Sequence, residues 1–170
     1  MSNSSVAELI VTSPAFEHGG LVPARYTCQG EDASPPIAWE WSAPDGAPAG
    51  TQSFLLIAED RDIPFPFLRL FTWVHWIVYN IPPQVHALPA ALPHDARLEN
   101  GAQQGWTSFR RTGYGGPCPP VGTHRYHFTL YALDTTLDLP PRAATKRKLL
   151  GAIQGHVLAQ STLMGRYKKE

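Results

Sequence analysis

Three short segments hold the residues whose types and spacing could do chemistry. Glu59-Asp60-Arg61-Asp62-Ile63-Pro64 sets an acidic cluster directly behind an apolar run. Alone it reads as a solvated turn at a strand end. Trp73-Val74-His75-Trp76-Ile77-Val78-Tyr79-Asn80 places a histidine in a β-type run. Strict alternation puts His75, Ile77 and Tyr79 on one face and Trp76, Val78 and Asn80 on the other. A lone strand histidine is ordinarily a satisfied core residue. The third segment runs Gly113-Tyr114-Gly115-Gly116-Pro117-Cys118-Pro119-Pro120-Val121-Gly122-Thr123-His124-Arg125-Tyr126. Glycines let backbone N–H groups approach a ligand with no Cβ in the way. Successive N–H groups in such a turn make a concavity suited to anions, and prolines stiffen it. His124 and Tyr126, two apart on a strand, point to one face. Taken together, the three segments predict a pocket for a small anion.

Other chemistries find less support. No Gly-x-Ser-x-Gly occurs, and no serine sits in a nucleophile setting. Cys118 and His124 could form a cysteine–histidine hydrolase, but prolines flank Cys118 and no third group evidently orients the histidine. Two histidines and two aspartates could hold iron or zinc, yet no His-x-His or His-x3-His spacing is present. The expectation is a binding protein with no cofactor, no metal and no enzymatic activity. Lys plus Arg and Asp plus Glu both total 14, for a formal net charge of +0. The overall charge therefore supplies no long-range attraction to nucleic acid or acidic membranes.

The elements that must position these groups are mostly strands. The 170 residues suit one domain, 1–170, and 43% hydrophobic against 16% charged residues argues against disorder. Seventeen prolines and 14 glycines punctuate short β-branched and aromatic runs along the whole chain. Strands are expected at Leu9–Thr12, Ala38–Trp41, Ser53–Glu59, His75–Asn80 and Tyr126–Leu133, with weaker ones near Leu21–Tyr26 and Gln104–Arg110. The nearly continuous apolar run after Gln52 predicts a strand buried on both faces. Loops are expected from Ser42 to Gly50 and from Pro82 to Pro93, and His86 and His94 read as loop residues. Helical spacing appears near the C-terminus, where Leu149, Leu150, Ile153, Val157, Leu158, Ser161 and Met164 mark one face and Thr145 is the N-cap. Lys146, Arg147 and Lys148 would then oppose the helix dipole. The apolar stretch from Ile63 to Ile81 is broken by Pro64, Pro66, Arg69 and His75, which excludes a membrane helix. Residues Met1–Ile10 lack a signal-peptide pattern, so a cytoplasmic location is expected. A bridge between Cys28 and Cys118 is conceivable, but a reducing compartment argues against it as the default.

The motifs Tyr26-Thr27-Cys28-Gln29-Gly30, Ser34-Pro35-Pro36, Asp60-Arg61-Asp62-Ile63-Pro64, His75-Trp76-Ile77-Val78-Tyr79-Asn80, Gly116-Pro117-Cys118-Pro119-Pro120 and His124-Arg125-Tyr126 occur in order from Ser13 to Tyr167. In this the chain resembles the phosphatidylethanolamine-binding protein family, in its bacterial and archaeal Raf kinase inhibitor-like branch. The resemblance implies a mainly β, two-sheet sandwich with short helices and one C-terminal helix. It implies a pocket for phosphate or a phospholipid head group lined by Asp60, Asp62, Pro64, His75, Gly116, Cys118, His124 and Tyr126. Asp60 would keep a neighbouring imidazole partly protonated. Arg125 would support the architecture, pairing with a carboxylate. Inhibition of a kinase or protease through protein contact is the alternative reading. Two features depart from the family pattern: Arg61 stands where proline is usual, and is expected to face water. The apolar insertion Phe65–Phe71 would cover the pocket mouth or meet a partner.

Overall fold

The structure, a computed structural model, describes residues 7–43 and 46–170. The segment 1–6, part of the stretch examined for a targeting signal, lies outside the described residues, as do two positions of the Ser42–Gly50 loop. Among the described residues, eight strands and one α-helix follow in order: β1 Leu9–Thr12, β2 Ile37–Trp41, β3 Ser53–Phe65, β4 Leu68–Ile81, β5 Ala87–Leu88, β6 Gln103–Gln104, β7 Thr123–Leu133, α1 Lys146–Ala152 and β8 Val157–Lys168. They form an antiparallel three-stranded sheet, β1-β2-β5, and an antiparallel five-stranded sheet, β6-β4-β3-β7-β8. The protein is therefore mainly β with two sheets, as the sequence leads one to expect.

β3 lies at the centre of the larger sheet because its residues are apolar on both sides. Phe54, Leu56 and Ala58 join Trp76, Val78, Phe128 and Leu130 in a core shared with Leu9, Val11, Ile37 and Trp39 of the smaller sheet. Leu55 and Ile57 face the other way, where Ile77, Tyr79, Leu137, Leu149 and Ile153 cover them. Among the described residues, no helix is long and apolar enough to cross a membrane.

Four sequence expectations are corrected. The C-terminal helix ends at Ala152, and Val157–Met164 belong to β8, where Leu163, Gly165 and Tyr167 are buried at a spacing of two. Gly155, at φ 79°, turns the chain between them, in a conformation that costs glycine least. Leu21–Tyr26 is not a strand: Leu21 makes an isolated bridge, and Ala24–Tyr26 is a single 3-10 turn opening at Pro23. Of Gln104–Arg110 only Gln104 belongs to a strand, and the remainder turns back at Arg110 with φ 59°. Cys28 and Cys118 are joined in a disulfide, with Cα atoms 5.5 Å apart across 90 residues of sequence.

The insertion Phe65–Phe71 is the tip of a long β3–β4 hairpin that extends past the sheet. Phe67 is 84% exposed, and Leu70 and Phe71 are exposed beside it. Thr145 does cap α1, its hydroxyl accepting from the Lys148 N–H at 3.4 Å. The unfavourable cation in the first turn has a local partner, because Lys146 pairs with buried Glu59 on β3.

Candidate functional site

At one end of the larger sheet a cavity of about 170 Å³ opens between β3, β4, β7 and the glycine–proline loop. Its wall consists of Asp60, Ile63, Trp73, His75, Phe109, Gly116, Cys118 and Tyr126. No lysine or arginine is among them.

A bulge aims His75 into this cavity. Ala58 pairs with Trp76 but Glu59 pairs with Val74, so β4 carries one extra residue, His75. Such an insertion bends the strand and re-aims a side chain. His75 therefore leaves the face of Ile77 and Tyr79 assigned by strict alternation and stands edge-on to Tyr126, with ring centroids 5.3 Å apart. Its Nδ1–H donates to the Gly115 carbonyl oxygen at 2.6 Å. This fixes the tautomer and leaves Nε2 with the lone pair in the neutral ring. Burial lowers the His75 pKa from its ordinary value; the Gly115 carbonyl and the Asp60 charge offset this in part. The expectation that Asp60 would keep an imidazole charged does not hold for His75.

Asp60 instead engages His124. Its Oδ2 accepts from His124 Nδ1 at 2.6 Å, while Oδ1 accepts the Asp62 N–H at 2.7 Å. His124 is fully buried, and its Nε2 lies 3.1 Å from the Val121 carbonyl oxygen, so both ring nitrogens face acceptors. It stands behind Asp60, outside the cavity wall. Tyr126 is also buried, and its hydroxyl finds no hydrogen-bond partner among the described residues. Desolvation raises its pKa, and the Asp60 charge adds to that rise, although the two groups do not meet in hydrogen-bond geometry.

Asp62 and Pro64 are likewise not in the wall. A register shift between Asp60 and Ile63 turns Asp62 away from the pocket lining expected for it and toward Arg125, which thereby gains a carboxylate partner. Asp62 accepts from the Arg125 N–H at 3.0 Å, from Nε at 2.9 Å and from a terminal guanidinium nitrogen at 2.7 Å, and Arg69 lies at 3.2 Å. This holds the Asp62 carboxyl below the usual carboxylate range, the Arg125 side chain contributing most. Pro64 pairs with Arg69 across the hairpin, and Ile63 takes its place at the cavity. Arg61 binds Glu59 at 2.5 Å on the opposite sheet face and remains half exposed.

Two of the loop amides are also committed. Gly115 N–H donates to the His75 carbonyl at 3.0 Å, and Gly116 N–H donates to Asp32 Oδ1 at 2.7 Å. Only glycine fits at 116, since an added Cβ would lie 2.5 Å from Asp32 Oδ1 and 2.6 Å from the Tyr26 carbonyl oxygen. The structure thus gathers Asp60, His75, Gly116, Cys118 and Tyr126 at one cavity and sets Asp62, Pro64 and His124 outside it. Sequence reasoning missed Ile63, Trp73, Phe109 and Asp32. Trp73 precedes His75 by two and so shares its side of the strand, a usable signal. Phe109 sits in a loop with no such pattern, held edge-on by Trp73 at 5.5 Å and His75 at 5.4 Å.

Comparison with known proteins bears on this arrangement. A family model described as phosphatidylethanolamine-binding protein matches residues 12–168. The chain is 45% identical over 155 residues to a UPF0098 protein of Methanothermobacter thermautotrophicus, covering 91% of this chain and 95% of that one. It is 42% identical to a UPF0098 protein of Aquifex aeolicus, covering 94% and 88%. Among solved structures it is similar to a putative phosphatidylethanolamine-binding protein homologue from Chlamydia trachomatis, with TM-score 0.82, 38% identity and coverage of 96% and 99%. It is also similar to E. coli YbcL, described as a member of the mammalian family of that name, with TM-score 0.81, 28% identity and coverage of 98% and 100%.

Proposed function

The chain belongs to the phosphatidylethanolamine-binding protein family, and from that premise we propose that its cavity binds a small phosphate-like group, free or as a head group. The observation that carries this reading is a wall in which the buried Tyr126 hydroxyl has no hydrogen-bond partner among the described residues, next to His75, whose Nδ1 is committed to Gly115 so that Nε2 is the ring nitrogen left for a ligand, and beside a buried Asp60–His124 pair. An unpaired buried polar group costs about 1–3 kcal/mol. A ligand that pairs with it recovers part of that cost.

The charge balance of such binding is specific. With no lysine or arginine in the wall and burial disfavouring the charged form of His75, anion binding is coupled to a proton. Either His75 takes one at Nε2 and donates it, or a phosphomonoanion donates its own to Nε2. Asp60 accepts any further hydroxyl or ammonium of the ligand. A cavity this small, with no cationic field, supports weak binding, with dissociation constants roughly micromolar to millimolar, about −8 to −4 kcal/mol.

Binding is favoured over turnover because Cys118, the nucleophile a cysteine–histidine hydrolase would require, is spent in the disulfide. A cytoplasmic location remains part of the proposal, and the disulfide weighs against it, since thiols there stay reduced. Contact with a protein partner is a second reading, favoured by the exposed Phe67, Leu70 and Phe71 on the hairpin tip.

The test follows histidine NMR signals while phosphate or phosphoethanolamine is titrated. His75 should shift, and Tyr126→Phe should weaken binding without destabilising the free protein. A His75 signal unmoved by either ligand would overturn the assignment.

A further inference from the structure

Gly115 ties the loop to His75 of β4 by two hydrogen bonds, at 3.0 and 2.6 Å, but Gly116 and Cys118 beyond it lie in no strand. Pro117 and Pro119 flank Cys118 and offer no N–H, so the loop leans on the segment Tyr26–Asp32. Four ties join the two. They are the Cys28–Cys118 disulfide, the Cys28 N–H donating to the Pro117 carbonyl at 3.1 Å, the Gly116 N–H donating to Asp32 Oδ1 at 2.7 Å, and the Tyr114 hydroxyl donating to the Tyr26 carbonyl at 2.7 Å. Tyr114 and Gly116 are buried, whereas both cysteines are exposed. The covalent tie is therefore the one that a dissolved thiol can reach, and Cys118 is at once half of that bond and part of the cavity wall.

We infer that the Cys28–Cys118 bond is a redox-cleavable clamp on the binding cavity, so that the oxidised chain holds a phosphate-like ligand more tightly than the reduced chain. This rests on the anion-binding reading of the cavity and names its regulation. A dithiol supplies the reducing equivalents. Its thiolate attacks one sulfur, forming a mixed disulfide and releasing the other cysteine as thiolate. The second thiol of the reductant then displaces the remaining cysteine and closes a cyclic disulfide. In sum two electrons and two protons pass to the protein. Three non-covalent ties persist, so the chain stays folded. The wall at Cys118 loses its covalent anchor, and freedom gained there must be lost again when a ligand binds. Asp32 acts as the positioning residue that keeps Gly116 in place once the disulfide is open.

The experiment is calorimetric titration of the full chain with inorganic phosphate and with phosphoethanolamine, before and after dithiothreitol. Reduction should weaken binding about three- to tenfold, the size of effect expected when about one ordered residue is released. The double variant Cys28→Ser/Cys118→Ser should match the reduced protein and ignore dithiothreitol. Asp32→Asn should weaken binding further in the reduced state than in the oxidised state. Affinities equal within about twofold in both states, about 0.4 kcal/mol, would overturn the clamp. So would global unfolding on reduction, since that marks a staple and not a clamp. If the oxidised protein binds neither ligand, the anion reading itself fails. The clamp is then judged on the amide signals of Gly115, Gly116 and Cys118, which must change on reduction for it to stand.

Discussion

Replacing Asp62 by asparagine separates a structural carboxylate from a binding one. Asp62 is fully buried and accepts three hydrogen bonds from Arg125, two of them from the guanidinium. The amide keeps the shape but loses the charge, and its NH2 group meets a cation. Hydrogen bonds to charged groups contribute about 1.5–3 kcal/mol each, and breaking a buried ion pair costs about 3–5 kcal/mol. The Arg125 side chain is 38% exposed and can be rehydrated, so the lower end applies, about 2–3 kcal/mol. For a chain of this size that is a fall in Tm of about 4–12 °C. The pH dependence gives a second signature. A carboxyl with a folded-state pKa below its unfolded value contributes stability above about pH 4, and that stability is lost as pH falls through the folded value. Parent and variant should therefore differ most at neutral pH and converge in strong acid. Urea denaturation between neutral pH and about pH 3 measures this, and phosphate titration at neutral pH should agree within about twofold with the parent. A variant that remains as stable as the parent, or that loses binding tenfold or more, would refute the assignment of Asp62 to the scaffold.

Further expectations are simpler. Because burial depresses the His75 pKa, the free protein should lose stability as pH falls below about 6.5, where the unfolded chain takes up the proton first; thermal melts across pH 5–8 check this, the range being about that of histidine titration. Phosphate binding should strengthen over the same descent, after correction for the ligand's own protonation. Gly116→Ala should destabilise the protein by about 1–3 kcal/mol and weaken binding, since its Cβ meets backbone atoms of Tyr26 and Thr27 that cannot swing aside. Gly151→Ala should do the reverse in α1, stabilising by about 0.5–1 kcal/mol with binding unchanged, because open space surrounds that position. Equal Tm values for Gly151→Ala and parent would show that the helix is not limited by backbone entropy.

The strands β1, β2, β3, β4 and β7 were legible because their residues are β-branched or aromatic and their ends are marked by proline and glycine. The lengths of β3 and β4 were not: both run on into the hairpin through Arg61, Pro64 and Arg69, which local propensity disfavours and cross-strand pairing tolerates. The face of His75 was misjudged because one inserted residue breaks the period of two, and nothing local announces a bulge. Leu149, Leu150 and Ile153 do form a helical stripe, and Val157, Ser161 and Met164 extend it by coincidence. The alternation Leu163-Gly165-Tyr167 carried the better signal. Asp60 and Asp62 look equivalent in sequence, and only the strand opposite assigns one to His124 and the other to Arg125. No local pattern brings Cys28 to Cys118, since that proximity comes from the folding of whole sheets.

Consecutive residues Glu59 and Asp60 lie on opposite sides of the central strand, each with a basic partner of different length. A strand apolar on both sides has little in its greasy portion to tell one alignment from the next. The two acids supply that distinction. Sliding β3 by a single position one way would carry Glu59 to the imidazole and Ala58 to the lysine, and the other way Asp60 to the lysine and Arg61 to the imidazole, so either slip spoils both pairings together. The charges beside the cavity thus also act as a ruler for the sheet, and weakening either pair should show first as misaligned strands.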